Sequence, residues 1–510
     1  MRIPLEWLND FIDLKDIPVD GISKRLTMAG IEVSKVEQVK DDIILELDIT
    51  PNRPDALSIK GIARELAVLF DKKLSYKKSK YKPLIRNTGS VIIENKEDCP
   101  RYDGLLLRGV EVKESSEWLK KRLEKAGSRP INNVVDITNY IMLEMNHPMH
   151  AFDWDLIEGE KIIVRTAKPQ ENILLLDGTK LELKGTELVI ADKNKPVALA
   201  GVMGGEETSV TFKTKNVFLE CAYFLPSSIR KTTKLHKVAS DSSFRFERGV
   251  DIAGLIDAIL LCAEMIKEIG GGEIIEPLYD IFPHKIIEKK VILNKATLCR
   301  IVGREIQEKE IIKILHGLGF VTTLLRDEFE VLVPSFRPDI DGEMDIIEEI
   351  LRVYGYDKLE YTLPYIPRRK MDGGWFNEPY RWYNFRDGIR DLMLKAGYNE
   401  SLTSSFISES FARLFSFDLV YLANPLSFDE RVLRNNLSIN LLRVLNNNVN
   451  AKQKQTGFFE IGNVFNKENE ITKLGIAAGG IKEDKEWYNE RAINYDMFDI
   501  KGIVEILKKF

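Results

Sequence analysis

Cysteine is scarce in this chain, and long apolar runs are absent. The four cysteines among the 510 residues, at positions 99, 221, 262 and 299, fit neither a zinc-ligand spacing nor a disulfide framework. The longest apolar run, "LIDAILLCAEMI", is too short to span a membrane and carries Asp257 and Glu264. The opening "MRIPLEWLNDFIDLKD" lacks the apolar core of a signal peptide, and its acidic residues argue against a transit peptide. These absences favour a cytosolic protein.

Histidine is also rare, with five in the chain, yet His147 and His150 lie three residues apart in "NHPMHAFDWD". A zinc site needs three or four ligands, and no further histidine or cysteine stands nearby at ligand spacing. Pro148 between the two also excludes a regular helix that would hold both on one face. A metal pair is therefore not predicted. Two polar turn residues are the default, and a catalytic or substrate-orienting histidine needs other support.

An excess of positive charge is missing too, since 74 Lys and Arg face 79 Asp and Glu for a net charge of −5. This excludes a uniformly basic nucleic-acid-binding protein but leaves room for local patches. "KKLSYKKSKYKP" (72–83) has six lysines, and a solvated linker is the favoured interpretation. "RKTTKLHKVASDSSFRFERG" (230–249) is rich in Ser and Thr, so turns and anion contacts are favoured there.

The patterns of strands and helices predict an α+β, multidomain chain. The apolar fraction of 44% and the charged fraction of 30% are typical of globular domains, and the length allows several cores. Short strand patterns dominate from about 90 to 285, whereas "KKVILN" to "EMDIIEEILRVYGYD" forms a small compact unit. Helical "WYNFRDGIRDLMLKAGY" and the strands "TGFFEIGNVFN" and "KLGIAAGG" follow. The predicted domains are 1–82, 83–287, 288–363 and 364–510.

Two short motifs have the composition of a binding pocket. In "VALAGVMGGEETSV", the glycines at 201, 204 and 205 follow a strand and allow close approach of a ligand to the backbone. The Lys-Ser/Thr end of a phosphate loop is missing, so this motif alone is weak. "FLECAYF" places Glu220 in an apolar strand. That residue is either a strand-edge glutamate facing water or a buried carboxylate that accepts a hydrogen bond from a ligand.

An acidic cluster accompanies the helix pattern in "PDIDGEMDIIEEILRVY". Asp345, Glu348 and Glu349 lie at i, i+3 and i+4 and are expected to share the face opposite the aliphatic stripe. With Asp339 from the preceding turn they offer four oxygen ligands, which suit Mg²⁺. A solvated acidic face explains the spacing about equally well. The loop is not an EF-hand, because its glycine is misplaced.

Six strings together identify a family resemblance. They are "TPNRPD" with "GIARELA", "RPINNVVDITNYIMLEMNHPMHAFD", "AGVMGG", "DSSFRFERGVD", "VPSFRPDI…DIIEEILRVYGYD" and "NPLSFDERVLRNNL…FFEIGNVF". In this order they resemble the bacterial beta subunits of phenylalanyl-tRNA synthetase. The resemblance implies an N-terminal piece, a mixed editing domain, a small winged-helix-like domain and an inactive copy of the class II synthetase unit with an antiparallel sheet. Because no Gly-rich, Arg-ending third motif follows "FFEIGNVF", ATP activation is not expected on this chain.

The resemblance also implies a function and roles for individual residues. Two beta and two alpha subunits would form a cytoplasmic heterotetramer, in which alpha attaches phenylalanine to tRNA(Phe) with ATP and Mg²⁺ and beta hydrolyses mischarged tyrosyl-tRNA(Phe). A pocket shaped for phenylalanine rejects an added hydroxyl only about a hundredfold, so a second site must reward that hydroxyl. Glu220 matches this acceptor, and His150 matches the editing-site histidine that orients the tRNA end or the attacking water. Gly201, Gly204 and Ser242 would shape the pocket, with Ser242 where relatives often carry alanine. The acidic cluster matches acidic family positions.

The sequence departs from the family in three ways. His147 matches no family residue and is predicted to be a turn residue. "KVEQVKDDIILELDITPNRPD" runs through without an inserted oligonucleotide-binding barrel, and the chain stops at Phe510 before the anticodon-binding domain. This indicates either a reduced natural form or a truncated sequence. Two rival functions stay open: a free-standing hydrolase that edits tRNA, and a non-catalytic binding paralogue, against which the retained His150 and Glu220 count.

Overall fold

The computed structural model divides the chain into two compact units, Met1–Thr362 and Leu363–Phe510. The structure describes residues 1–283, 288–361, 363, 377–453, 456–485, 487–488 and 490–509. The predicted domain boundaries at 287 and 364 lie outside the described residues, and the division into four domains stays a prediction. In the described part of the chain, no helix is both long enough and apolar enough to cross a membrane.

The first segment folds as a small antiparallel sheet packed with helices. The alternating "IILELDI" forms its central strand, as predicted, in the order β1-β3-β2. The lysine-rich residues 72–83 contain neither helix nor strand, as expected of a connector. The elements are β1 (Arg2–Pro4), α1 (Leu5–Leu8), α2 (Val19–Met28), β2 (Glu32–Val39), β3 (Asp42–Asp48) and α3 (Ile59–Leu69).

Two five-stranded sheets form the centre of the first unit, in the orders β4-β15-β6-β14-β7 and β13-β12-β11-β8-β5. Helices α5 and α8 pack on each other, and α8 also packs on β6 and β14. The elements are β4 (Ile85–Arg86), β5 (Val91–Ile93), β6 (Arg101–Arg108), α4 (Glu117–Lys125), α5 (Asn133–Met145), β7 (Met149–Asp153), β8 (Ile162–Thr166), β9 (Asn172–Leu174), β10 (Lys180–Glu182), β11 (Leu188–Ala191), β12 (Pro196–Leu199), β13 (Met203–Gly204), β14 (Val217–Tyr223), α6 (Pro226–His236), α7 (Asp241–Phe246), α8 (Leu255–Gly270) and β15 (Glu273–Ile281).

The basic stretch 230–249 is mostly helical, so the prediction of a turn-rich segment is wrong. It contains most of α6 and all of α7, and the Ser240 side chain caps α7 by accepting a hydrogen bond from the Ser243 backbone N–H. Ser and Thr therefore act here as cap and helix residues. Arg245 is buried and Arg248 lies over the Phe244 ring at 3.5 Å, which leaves fewer free cations than the sequence suggests.

The segment 288–361 forms a three-stranded antiparallel sheet, in the order β16-β18-β17, with three helices. Aliphatic and aromatic side chains from β16, β18 and α11 meet in one core. The elements are β16 (Lys289–Asn294), α9 (Lys295–Val302), α10 (Glu308–Gly317), β17 (Val321–Leu324), β18 (Glu328–Val333) and α11 (Glu343–Tyr354).

A chain of buried ion pairs ties α3 to α11, and we call it the ion chain. Its members alternate in sign: Asp55, Arg53, Glu65, Arg352, Glu349, Arg337 and Asp339. Arg352 donates to both oxygens of Glu65 at 2.6 and 2.9 Å, although 287 residues separate the two in sequence. Glu65 is 1% exposed. Burial alone would raise the pKa of its carboxyl, but the charges of Arg352 and Arg53 hold that pKa well below its usual range.

The second unit, Leu363–Phe510, contains a three-stranded sheet in the order β19-β22-β23 and two short ribbons. "FFEIGNVF" and "KLGIAA" form the antiparallel pair β22 and β23, as predicted. The sheet is mixed rather than purely antiparallel, because β19 lies parallel to β22. The elements are α12 (Asn377–Lys395), β19 (Asn399–Glu400), β20 (Phe406–Ile407), α13 (Glu409–Ala412), β21 (Val432–Leu433), α14 (Ser438–Asn450), β22 (Gly457–Phe465), β23 (Glu470–Ala478), β24 (Ile481–Glu483), β25 (Ile493–Asn494) and α15 (Met497–Leu507).

Candidate functional site

The structure brings all five predicted pocket residues to one cavity of about 50 Å³. We call it the inter-sheet pocket, because it lies where strands of the two five-stranded sheets meet α7. Strand β7 supplies His150, β14 supplies Glu220, and the turn from β12 into β13 supplies Gly201 and Gly204. Ser242 comes from the first turn of α7. The chemical roles of these residues stay predictions.

The register of β14 and β7 places Glu220 and His150 next to each other. Strand β14 lies between β6 and β7, and Glu220 is directly opposite His150. Because side chains alternate along a strand, Glu220 shares its face with Phe218 and Ala222, whose core lies between the sheets. The glutamate is 5% exposed. A strand-edge glutamate facing water is therefore excluded, and the alternative of a buried carboxylate is confirmed.

Burial makes Glu220 an unusual acid. Tyr102 donates a hydrogen bond to Glu220 Oε2 at 2.9 Å, which lowers the carboxyl pKa, but desolvation outweighs this bond and raises the pKa to about 8. Glu220 is therefore mostly protonated at neutral pH. Tyr102 was missed in the sequence, because β6 is 118 residues away and nothing local marks its partner.

His150 is neutral at physiological pH. Desolvation lowers the pKa of its imidazole to about 4. Its ring stands edge-on to Phe152, with 4.4 Å between ring centroids. The Nε2 atom is buried and has no hydrogen-bond partner among the described residues. An unpaired buried nitrogen is costly, so Nε2 is available to a substrate or a water molecule.

The two predicted glycines are required for different reasons. A Cβ on Gly204 would lie 2.2 Å from Cε1 of His150, so any side chain there would displace the imidazole. Gly201 has a φ of +66° and faces Ile229 and Phe224, whose atoms would lie within 3 Å of an added Cβ. Both glycines therefore shape the inter-sheet pocket, which the sequence motif suggested only weakly.

The inter-sheet pocket is narrow. A volume of 50 Å³ is far below the range of about 300–1,000 Å³ that is usual for ligand pockets. A ligand of the size of an aromatic side chain therefore requires the pocket to widen. Met203 and His150 line its wall.

The raised pKa of Glu220 predicts a pH-dependent stability. The native state keeps the proton up to pH about 8, whereas the unfolded chain releases it near 4.5. The native state binds more protons in this window, so the stabilisation from Glu220 is lost as the pH rises, by about 1.4 kcal/mol per unit. Glu220→Gln cannot ionise. Its melting temperature should therefore rise relative to wild type between pH 5 and about 8. If the difference in melting temperature between Glu220→Gln and wild type stays constant across this range, the raised pKa of Glu220 is contradicted.

His147 is not an ordinary turn residue. It lies between α5 and β7 outside regular structure, as predicted, but it is only 2% exposed. It lines a second cavity, separate from the inter-sheet pocket. Neither Pro148, which follows His147, nor the small number of histidines indicates this burial. The burial depends on the packing of α3 and of residues 249–254.

The expected shared acidic face on α11 is wrong. Glu349 is 3% exposed and accepts hydrogen bonds from Arg337 at 2.5 Å and from Arg352 at 2.6 Å, whereas Glu348 is exposed. Burial would raise the pKa of Glu349, but the neighbouring arginines lower it to about 2. The arginines draw this carboxylate inward, which spacing along the helix could not show.

The four predicted magnesium ligands do not fit a metal site. The oxygens of Asp339 accept bidentate hydrogen bonds from Arg337 at 2.8 and 2.7 Å. Asp345 instead caps α11 by accepting from the backbone N–H groups of Asp341 and Gly342. Among the described residues, no group of three or more His, Cys, Asp or Glu side chains is placed to hold a metal ion.

Magnesium should therefore leave the stability of this chain unchanged. Arginine already neutralises Asp339 and Glu349, so Mg²⁺ would have to break buried ion pairs in order to bind. The melting temperature should be equal with Mg²⁺ and with a chelator, and Glu348→Gln should behave like wild type. A rise with Mg²⁺ that Glu348→Gln abolishes would restore the magnesium hypothesis.

Comparisons with known proteins find similarity to families of known domains and to a solved structure. Three family models fit the chain: the B3/4 domain at residues 98–271, the tRNA synthetase B5 domain at 291–356, and the phenylalanyl tRNA synthetase beta chain CLM domain at 366–509. Among solved structures, an N-terminal fragment of the phenylalanyl-tRNA synthetase beta-subunit from Pyrococcus horikoshii is similar over 70% of this chain and 99% of its own length, with 19% identity and a TM-score of 0.42.

Several relatives are phenylalanine–tRNA ligase beta subunits. That of Thermotoga maritima is 39% identical over 91% of this chain and 59% of its own length. That of Carboxydothermus hydrogenoformans is 42% identical over 94% of this chain and 60% of its own length. That of Fusobacterium nucleatum is 37% identical over 92% of this chain and 59% of its own length. The chain thus spans about three-fifths of the length of these relatives. It belongs to the phenylalanine–tRNA ligase beta-subunit family.

Proposed function

We propose that this chain is the beta subunit of a cytoplasmic phenylalanine–tRNA ligase. Two such chains would join two alpha subunits, which attach phenylalanine to tRNA(Phe) with ATP. The beta chain would support that reaction and hydrolyse mischarged tyrosyl-tRNA(Phe) in the inter-sheet pocket. The observation that carries the proposal is the convergence of His150, Glu220, Gly201, Gly204 and Ser242 on one cavity, in a chain of this family.

The proposed division into domains is the one predicted from the sequence, and the family models at 98–271, 291–356 and 366–509 support it. Residues 83–287 would be the editing domain, 288–363 a winged-helix-like domain and 364–510 an inactive class II synthetase-like unit, after an N-terminal domain with its linker at 1–82. The antiparallel sheet with three helices in 288–361 supports the second assignment. The Mg²⁺ that accompanies ATP belongs, in this proposal, to the alpha subunit, since the acidic cluster on α11 does not fit a metal site.

The editing reaction requires little chemistry from the protein. Water attacks the carbonyl carbon of the ester, the bond to the ribose oxygen breaks, and that oxygen leaves with a proton. A general base works best with a pKa near the operating pH, and His150 lies near 4. His150 therefore positions the water or the ribose end through its unpaired Nε2, rather than storing a proton.

Specificity in this proposal comes from Glu220. Its Oε2 is held by Tyr102, which leaves the other oxygen of the carboxyl group for the tyrosine hydroxyl. A phenylalanyl ester offers no hydroxyl and would leave the buried carboxyl without its second partner. The pocket thus favours the ester that carries the hydroxyl, which a synthetic site excludes only weakly.

Coexpression with the alpha subunit of the same genome tests the proposal. The two chains should copurify, charge tRNA(Phe) with phenylalanine and hydrolyse tyrosyl-tRNA(Phe). Hydrolysis by this chain alone, with no copurifying alpha subunit, would favour the free-standing hydrolase. Copurification without hydrolysis would favour the non-catalytic paralogue. The proposal is contradicted if the chain shows no activity and no alpha subunit copurifies with it.

A further inference from the structure

A second cavity, of about 260 Å³, lies on the other side of the segment that carries His150. We call it the α3 cavity, because Ser58, Lys60 and Arg64 at the start of α3 line one wall. Residues 145–147 line it, whereas 148–150 line the inter-sheet pocket. None of the five predicted pocket residues lines the α3 cavity. It therefore requires an explanation of its own.

Two cations face the α3 cavity without a hydrogen bond to a carboxylate among the described residues. Lys60 Nζ lies 4.3 Å from the centroid of the Tyr76 ring, and no described carboxylate oxygen lies within 4 Å of it. Arg64 stacks on Phe336 at 3.6 Å, and its Nη1 atom has no hydrogen-bond partner among the described residues. Its nearest carboxylate, Asp55 at 3.7 Å, is too far for a good hydrogen bond and already holds Arg53.

The same cavity presents carboxylates and an unpaired acceptor. Asp251 Oδ1 accepts from Ser335 Oγ at 2.5 Å, while Asp257 stands further along the wall. The carbonyl oxygen Oδ1 of Asn146, a residue 4% exposed, has no partner among the described residues. His147 Nδ1 is likewise buried and unpaired. Such atoms are stabilised only when a ligand or an ordered water pairs with them.

The separation of the charges selects the class of ligand. Opposite charges that line one small cavity normally close into ion pairs, yet Lys60 approaches neither Asp251 nor Asp257 within 4 Å. A simple anion would satisfy the cations and be repelled by the two carboxylates, and a simple cation would meet the reverse problem. A molecule with a carboxylate and an ammonium group satisfies both. The volume lies below the range of about 300–1,000 Å³ that drug-sized ligands occupy, so the ligand is small.

We propose that the α3 cavity binds a free α-amino acid. Its carboxylate would contact Lys60 and Arg64, and its ammonium group would contact Asp251, Asp257 and Asn146 Oδ1. Phe336 and the methylene groups of Met145 supply apolar surface for the side chain. This site does not depend on the editing function, because it shares no predicted pocket residue with it.

Isothermal titration of the full chain with single L-amino acids, including phenylalanine, tyrosine and lysine, tests the site. At least one should bind at micromolar to millimolar concentration. Lys60→Met should weaken that binding roughly ten- to a hundredfold, the effect of losing one charge-assisted hydrogen bond. Lys121→Met, a change of an exposed lysine on α4, is the matched control and should bind like wild type.

Binding in the inter-sheet pocket must be separated from binding in the α3 cavity. His150→Ala should bind the amino acid with the affinity of wild type, whereas Lys60→Met should bind it more weakly. If Lys60→Met does not fold, Asp257→Asn at the exposed wall should show the same loss. The proposal is overturned if no amino acid binds, if orthophosphate binds while amino acids do not, or if the loss follows His150→Ala instead of the α3 variants.

Discussion

Replacing Glu65 with alanine should destabilise the unit Met1–Thr362 by about 3–5 kcal/mol, the usual cost of removing one partner of a buried ion pair. Arg53 donates to Glu65 at 2.5 Å and Arg352 at 2.6 Å, and each arginine is less than a tenth exposed. The variant leaves both cations with fewer anionic partners in a site that excludes water. The loss should loosen the junction between α3 and α11 first, because Glu65 is the residue that joins them.

Hydrogen–deuterium exchange of the full chain locates this effect. Amides of Ile59–Leu69 and Glu343–Tyr354 should exchange faster in Glu65→Ala than in wild type, together with a lower denaturant midpoint. Glu114→Ala is the matched control, because it removes an exposed pair in which Lys120 lies 2.9 Å from Glu114. Exposed pairs contribute little, so exchange should stay unchanged. Equal effects of the two substitutions would show that the ion chain does not couple the helices.

The double variant Glu65→Met with Arg352→Met adds a second comparison. Replacing both members of a buried pair by apolar groups is often neutral, whereas removing one partner is not. The double variant should therefore be more stable than Glu65→Ala, even though it lacks more hydrogen bonds. This result would assign the cost to the unpaired charge rather than to lost packing.

The family resemblance supplied His150 and Ser242 of the inter-sheet pocket, whereas local patterns indicated only the glycine-rich turn and the position of Glu220 in an apolar strand. A glycine-rich turn between strands indicates close approach. Side chains alternate along a strand, so the apolar string "FLECAYF" places Glu220 on one of the two faces of β14. Whether that face is buried depends on the second sheet, which no local pattern specifies. The positions of β6 and β7 on either side of β14 exclude an edge strand, and this pairing is a long-range feature.

Long-range partners account for the errors. The spacing of Glu348 and Glu349 on α11 cannot show that Glu349 is buried. Its burial depends on Arg337 and on Arg352, and Arg352 also donates to Glu65 from the first part of the chain. His147 is buried for a similar reason, since distant segments cover it. A charged residue next to a helix stripe can face either way, and only its tertiary partners decide which.

Editing selectivity should rise with pH if Glu220 reads the tyrosine hydroxyl. Below pH 8 the carboxyl is mostly protonated, and a neutral hydrogen bond contributes about 0.5–1.5 kcal/mol, or roughly two- to tenfold in rate. Above pH 8 the carboxylate forms a charge-assisted bond of about 1.5–3 kcal/mol, or roughly ten- to a hundredfold. The ratio of tyrosyl to phenylalanyl deacylation rates isolates this effect, because hydroxide-driven hydrolysis raises both rates alike.

Two substitutions then separate the roles of the paired residues, assayed with the alpha subunit present. Glu220→Ala should bring the ratio towards one and abolish its rise near pH 8, because the reward for the hydroxyl is gone. His150→Ala should slow both esters and leave the ratio unchanged, because Nε2 would contact the water or ribose that both share. Phenylalanylation should survive both changes. An equal loss on both esters in Glu220→Ala would refute hydroxyl reading, even if the inter-sheet pocket proved to be the site of hydrolysis.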